Sequence, residues 1–292
     1  MGTSPVSWLG REAMSDFAVA TGVELRARDS EAAEFGVDLD RLWSALDVLQ
    51  GGYLLAILGR AAGETVAHDP PHLSSASAVF LHAPQPGPAT ARIDVLRTGR
   101  STTHLRGQLR QDNELTVEAH LILTTLGDDD PWWSGHDEVA PTDPDDCLVI
   151  PAEPPGVGFR VAMMDVVEER LDPGVIGFAA GQPSGRGIVA GHLRLRDGSD
   201  WDPLSLQVAL DMGPPAHFDL GMGGGAPTLQ LSSHVRRLPA PGPIWFELRA
   251  EDVGDDRMTE QMKVWDSKRR LVGQATQLAA VRQPDGPPPG AG

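Results

Sequence analysis

The sequence predicts an α+β fold built twice: two curved antiparallel β-sheets, each wrapping a long central helix. Three observations predict it. The chain contains two similar halves, each half holds extended runs with an apolar period near two, and each has an apolar helix candidate upstream of those runs.

The repeat comes first. The stretches that begin at Pro84 and Pro239 both open Pro-x-Pro-Gly-Pro, and both continue as three extended runs separated by short polar turns. The runs fall at about 89–98, 102–110 and 115–125 in the first half, and at about 244–252, 258–265 and 271–282 in the second. In the first half Ile93 and Val95, then Leu105 and Leu109, then Val117, Ala119, Leu121 and Leu123 recur on alternate positions. That spacing places one face of each strand in a core. The segments Gln111-Asp112-Asn113 and Asp266-Ser267-Lys268 have hairpin composition, so long antiparallel meanders are expected.

The helices come next. Residues 52–62, GYLLAILGRAA, are apolar nearly all round and predict a buried helix. In the second half Asp202-Pro203 reads as an N-cap followed by proline at the first helical position. The run LSLQVALDM follows, and Gly213-Pro214-Pro215 stops it. A long apolar helix wrapped by a strongly bent antiparallel sheet is the hotdog arrangement. Two copies would pack sheet edge to sheet edge, as a double hotdog. The expected boundaries are 1–126 for the N-terminal hotdog and 156–282 for the C-terminal one. An acidic, Pro-rich linker at 127–155 separates them, and a Pro/Gly-rich disordered tail covers 283–292. Trp132 and Trp133 are expected to pin the linker to a domain surface or, alternatively, to line a ligand mouth.

Composition narrows the function. The 292 residues are 40% hydrophobic, enough for one large core or two medium ones. A net charge of −17 repels phosphate backbones and anionic bilayers, which disfavours nucleic-acid and membrane partners. A single cysteine, Cys147, excludes an intramolecular disulfide, and its acidic surroundings do not favour a thiolate. Neither a signal-peptide pattern nor an apolar run of membrane-spanning length is present, so a cytoplasmic location is expected. Nine scattered histidines without a ligand motif give no reason to expect a metal. Neither a GxSxG elbow nor an Asp-x-x-x-x-His pair of the hydratase kind occurs. Gly221–Gly225 reads as a flexible loop, because it neither follows a strand nor opens a helix at dinucleotide-binding spacing.

Four segments carry a family resemblance: LQGGYLLAILGRA at 49–61, DPLSLQVALDMGPPAHFDLG at 202–221, APTLQLSSHVRRLPAPG at 226–242 and VWDSKRRLVGQATQLAAVR at 264–282. Their order and the repeat resemble the TesB-like acyl-CoA thioesterases of the double-hotdog type. That resemblance implies hydrolysis of a fatty-acyl thioester by directed water attack, with no covalent enzyme intermediate and no cofactor. It implies an acyl-CoA or related acyl thioester as the partner. Hotdog sheets often associate further, so a homo-oligomer is compatible with it. It also implies an acidic residue and a Thr or Ser that orient water, a Gln from the last strand, and glycines at the first helix N-terminus.

Carried onto this sequence, Gly51 and Gly52 become the oxyanion and substrate-binding candidates, since a helix N-terminus offers free N–H groups and positive dipole. Gln277 matches the family's Gln. Gln230 occupies the place expected for the acid, and an amide cannot accept a proton there. The family's Thr or Ser is expected in the strand after Pro239, yet residues 246–258 contain neither. Two other groups are candidate proton acceptors: Asp211 near the end of the second helix, and His234 beyond Gln230. Each also has a plain reading, Asp211 as a backbone cap and His234 as an outward strand residue. Coenzyme A is itself polyanionic, so a local cationic cluster is expected, from Arg97, Arg100, Arg106 and Arg110 or from Arg236 and Arg237. With Gln in place of the acid, a non-catalytic acyl-CoA or lipid-binding hotdog module stands as the alternative function.

Overall fold

A computed structural model describes residues 16–45, 48–134, 141–154 and 159–283. The N-terminal segment, residues 284–292 of the expected tail, and parts of the expected linker lie outside the described residues.

The first half begins with a short helix α1 (Asp16–Ala20), β1 (Val23–Arg28), β2 (Ala32–Leu39) and a two-strand pair, β3 (Ser44–Ala45) and β4 (Val48–Leu49). Helix α2 (Gly51–Thr65) follows, then β5 (His72–Phe80), β6 (Gly87–Thr98), β7 (Thr102–Gln111) and β8 (Glu114–Thr124). The second half contains β9 (Leu148–Val149), β10 (Val167–Leu171), β11 (Ile188–Leu195), α3 (Ser205–Ala209), β12 (Thr228–Val235), β13 (Ile244–Gly254), β14 (Arg257–Trp265) and β15 (Leu271–Ala280).

The three predicted runs of each half are therefore strands, within a few residues of the expected ends. Alternation accounts for them. On β7, Thr103, Leu105, Gly107 and Leu109 face inward, and on β8 Val117, Ala119, Leu121 and Leu123 do the same. The β7–β8 turn has positive φ at both Asp112 and Asn113, the geometry that suits the right-handed twist of a hairpin. The β13–β14 turn repeats it at Asp255 and Asp256. Both Pro-x-Pro-Gly-Pro motifs place their glycine, Gly87 and Gly242, in the left-handed region, at φ of 124° and 108°.

Thirteen strands form one antiparallel sheet in the order β1-β2-β6-β7-β8-β5-β12-β15-β14-β13-β11-β10-β9. The halves join where β5 pairs with β12, with Ser77 opposite Ser232 and Ser75 opposite His234. Two sheets were expected, and edge-to-edge pairing has merged them. Residues 148–149, expected in the linker, instead supply the edge strand β9. The linker tryptophans are not pinned: Trp132 is 100% and Trp133 73% exposed.

The helices depart from expectation in one half. Helix α2 has 15 residues, and its residues from Gly52 to Leu58 are all buried. It touches β1, β2, β5, β6, β7 and β8, all strands of the first half. Helix α3 has only five residues. The Asp202 carboxylate does start this segment, accepting from the N–H groups of Leu204 at 2.9 Å and Ser205 at 2.6 Å. The chain then turns away at Leu210, well before the Gly213-Pro214-Pro215 stop. At about 1.5 Å per residue, α3 spans about one third of the length of α2. The concave faces of β12, β13, β14 and β15 are thus left partly uncovered, with Leu231, Leu248, Met262 and Ala275 facing a cavity of about 1530 Å³.

Candidate active site

The N-terminus of α2 abuts the C-terminal end of α3, and glycine makes the approach possible. A Cβ on Gly52 would lie 2.1 Å from the carbonyl oxygen of Gln207, a distance no side chain tolerates. Gln50 locks the junction. Its Oε1 accepts from the N–H of Tyr53 at 2.8 Å, and its Nε2 donates to the carbonyls of Val208 and Asp211, both at 2.9 Å. Gln207 is fully buried and accepts from Ser233 Oγ at 2.6 Å.

This junction places Asp211 against the start of α2. Its Oδ2 accepts from the N–H of Gly52 at 2.9 Å, and the N–H of Gly51 also faces the carboxylate. A Cβ on Gly51 would lie 3.0 Å from Asp211 Oδ2 and 2.8 Å from the Phe80 ring. Burial pushes the Asp211 carboxyl up to about 6, although both backbone donors pull the other way. The helix N-terminus therefore cradles a carboxylate, and the missing side chain of Gly52 permits the close approach of α3.

Asp211 shares the cavity wall with Gln277 of β15, Thr228 of β12, Glu260 of β14 and Gly51. Glu260 is 3% exposed, and its Oε1 accepts from the N–H of Ala216 at 2.8 Å. Burial and, to a lesser degree, the nearby Asp211 push it up to about 7. Glu260 lies directly across from Gln277 in the β14–β15 register. The loop Gly221–Gly225 lines the same cavity. Its Gly224 carbonyl lies 3.2 Å from Nε2 of buried His217, whose imidazole is held in the neutral form mainly by burial.

Of the residues chosen from sequence, the fold brings together Gly51, Gly52, Asp211 and Gln277. It carries Gln230 and His234 elsewhere. On β12, Leu231, Ser233 and Val235 point inward while Gln230, Ser232 and His234 occupy the opposite face. Gln230 Nε2 donates to Ser232 Oγ at 2.8 Å, within a polar seam that includes Ser77, and His234 is exposed. Gln230 therefore lies on the face of β12 away from the cavity, while three acids, Asp211, Glu260 and Glu169, line it. The search for a hydroxyl after Pro239 is corrected. Thr228 supplies one from the preceding strand, because a bulge between Thr228 and Gln230 reverses the alternation and turns Thr228 inward opposite Ala279.

Thr228 was missed because a bulge leaves no mark in an alternation pattern. Glu260 left a signal that was readable: it sits at the inward parity of Met258, Met262 and Val264.

The arginine clusters do not line the cavity. Arg106 pairs with Asp94 at 2.7 Å, and Arg237 lies beside Arg236 and Arg270. Cys147 is buried, and burial followed by the charges of Asp172 and Asp146 pushes its thiol up to about 11. Among the described residues no group of three or more His, Cys, Asp and Glu is placed to hold a metal, and no helix is long and apolar enough to cross a membrane.

Residues 39–126 match the profile of the acyl-CoA thioesterase N-terminal domain, and residues 144–281 that of the acyl-CoA thioesterase C-terminal domain. Uncharacterised proteins from Mycobacterium bovis and Mycobacterium tuberculosis are 27% identical over 288 residues, covering 89% of this chain and 97% of theirs. Among solved structures, a candidate thioesterase II from Thermobifida fusca superposes with a TM-score of 0.82 at 28% identity, covering 94% of this chain and all of that one. A hotdog-fold protein from Alicyclobacillus acidocaldarius gives 0.75 at 18% identity, covering 93% of this chain and 100% of that one. An acyl-CoA thioesterase II from Mycobacterium marinum gives 0.58 at 17% identity, with the same two coverages. The last two likenesses carry the fold alone.

Proposed function

Because the chain belongs to the TesB-like acyl-CoA thioesterase family, we propose that it hydrolyses a fatty-acyl thioester with a water molecule directed by Asp211, Thr228 and Gln277. The observation that carries this reading is that those three groups line one cavity, with Asp211 held at the N-terminus of α2.

The roles follow from the chemistry of the groups. The Thr228 hydroxyl and the Gln277 amide hold a water without removing its proton. Asp211, with its proton affinity raised by burial toward neutrality, accepts that proton as the water oxygen bonds to the thioester carbonyl carbon. The carbonyl oxygen takes up the negative charge as Asp211, held by the N–H groups of Gly51 and Gly52, becomes neutral. When the carbon–sulfur bond breaks, the proton on Asp211 passes to the departing thiolate, and free acid and thiol leave. Neither a cofactor nor a covalent enzyme intermediate enters.

The apolar part of the cavity, formed by Leu231, Leu248, Met262, Met212 and their neighbours, suits an acyl chain. The binding-only alternative was motivated by Gln230 standing in place of an acid. Gln230 on the far face and Asp211 in the cavity favour the hydrolytic reading over that alternative.

The test is thiol release from a panel of acyl-CoAs of increasing chain length, by the native protein and by Gln277→Ala. Release that falls by at least about tenfold in the variant supports the reading. Absence of release from the folded native protein across the panel overturns it.

A further inference from the structure

A second acid lies in the cavity, away from the reacting groups. On β10 the inward positions are Val167, Glu169 and Leu171, while Glu168 and Arg170 pair on the outer face at 2.8 Å. Glu169 is 3% exposed and lines the cavity beside Met163, Met164 and Leu171. Its Oε1 has no hydrogen-bond partner among the described residues. A pocket for plain hydrocarbon would be better served by Leu or Met at this position, because a buried carboxyl oxygen without a partner forfeits its hydration for nothing.

The sheet sets how far this carboxyl lies from the chemistry. From Gln277 on β15 the path crosses β14, β13 and β11 to reach β10. Four steps of about 4.8 Å give about 19 Å along the sheet. Glu169 therefore sits on a strand four places from that of Gln277 in the sheet that lines the cavity. Burial alone pushes the group up to about 8, which leaves it protonated near neutrality, able both to donate and to accept.

We propose that the cavity takes an acyl group bearing a distal oxygen, a hydroxyl or carbonyl far from the thioester, and that Glu169 recognises that oxygen by hydrogen bonding. The inference rests on the acyl-thioester reading above for the nature of the ligand, but not on turnover. Glu169 here is a specificity residue and takes no part in the reaction.

The experiment uses non-hydrolysable S-alkyl-CoA thioethers of equal chain length, plain or carrying one hydroxyl or keto oxygen at successive distal positions. Affinities are measured by calorimetry for the native protein, Glu169→Gln and Glu169→Met, and thiol release is followed from the corresponding thioesters. At least one oxygenated member should bind the native protein about tenfold or more tightly than the plain one. Glu169→Gln should keep that preference, and Glu169→Met should abolish or reverse it. Plain thioethers that bind as tightly as every oxygenated isomer overturn the proposal, as does a preference that survives in Glu169→Met. If Glu169→Met does not fold, the ranking by the native protein decides alone. Preferential binding without thiol release would sink the hydrolase reading and leave this one standing, whereas release without preference would do the reverse. Failure of every thioether to bind would overturn this proposal, and the hydrolase reading would fall with it only if thiol release were absent as well.

Discussion

Asp211 draws its character from two opposed effects. Burial in the cavity wall disfavours its charge, and the N–H groups at the start of α2 favour it. The balance leaves a carboxyl that ionises near pH 6, close to where a general base works best. Only the ionised form accepts a proton, so kcat/KM should be low in acid, rise through about pH 6 and level off above it. A rate independent of pH between 5 and 8 would exclude Asp211 as the base. Thr228 makes a second prediction at this scale. Thr228→Val keeps the shape and removes the hydroxyl, and should lower kcat about tenfold to hundredfold with little change in KM. Thr228→Ser should restore most of the rate, and failure of that rescue would contradict a role for the hydroxyl.

At the scale of elements, the site depends on how closely two helix ends approach. Gly52→Ala would drive a methyl into the Gln207 carbonyl and should cost on the order of 2–3 kcal/mol of stability, visible as a thermal midpoint lowered by several degrees. Gly51→Ala meets the Phe80 ring and the Asp211 carboxylate instead, so it should damage activity more than stability. Equal losses of stability in the two variants would contradict this division.

The elements also show what was legible in the sequence. The strands were, because inward positions such as Leu105, Leu109, Leu121 and Leu123 alternate without interruption. The buried helix α2 was legible from an apolar surface with no polar stripe. The length of α3 was not: LSLQVALDM is as apolar as a longer helix would be, and its early end is set by packing against Gly52, a contact 155 residues distant. Asp211 and Gln277 could be nominated one at a time. Their sharing of one cavity with Thr228 could not, since it needs the β12 bulge and the α2–α3 junction together.

For the molecule as a whole, three buried acids make one prediction. Asp211, Glu260 and Glu169 hold their protons up to about pH 6, 7 and 8, above the ordinary carboxylate range, mainly through burial. Between about pH 4 and 8 the folded chain therefore binds more protons than the unfolded one, so this contribution to stability falls as pH rises through that window. Glu169→Gln, which has no proton to lose, should flatten the decline of the thermal midpoint between pH 5 and 8. An equally steep decline in that variant would mean that Glu169 is ionised and hydrated in the folded state. The same architecture explains why acids can be kept in a core at all. The short α3 leaves the second half hollow where the first is filled by α2, and the vacated space is lined by both apolar chains and carboxyls.

The central claim is that Asp211 drives water onto an acyl thioester, and thiol release from acyl-CoA by the native protein and by Asp211→Asn at pH 7.5 tests it most directly. Asn preserves size and the cavity contacts while removing the proton acceptor. The account predicts release by the native protein and a fall of about 10²- to 10⁴-fold in the variant, with the fold intact by circular dichroism. A folded Asp211→Asn protein that releases thiol as fast as the native chain would contradict it.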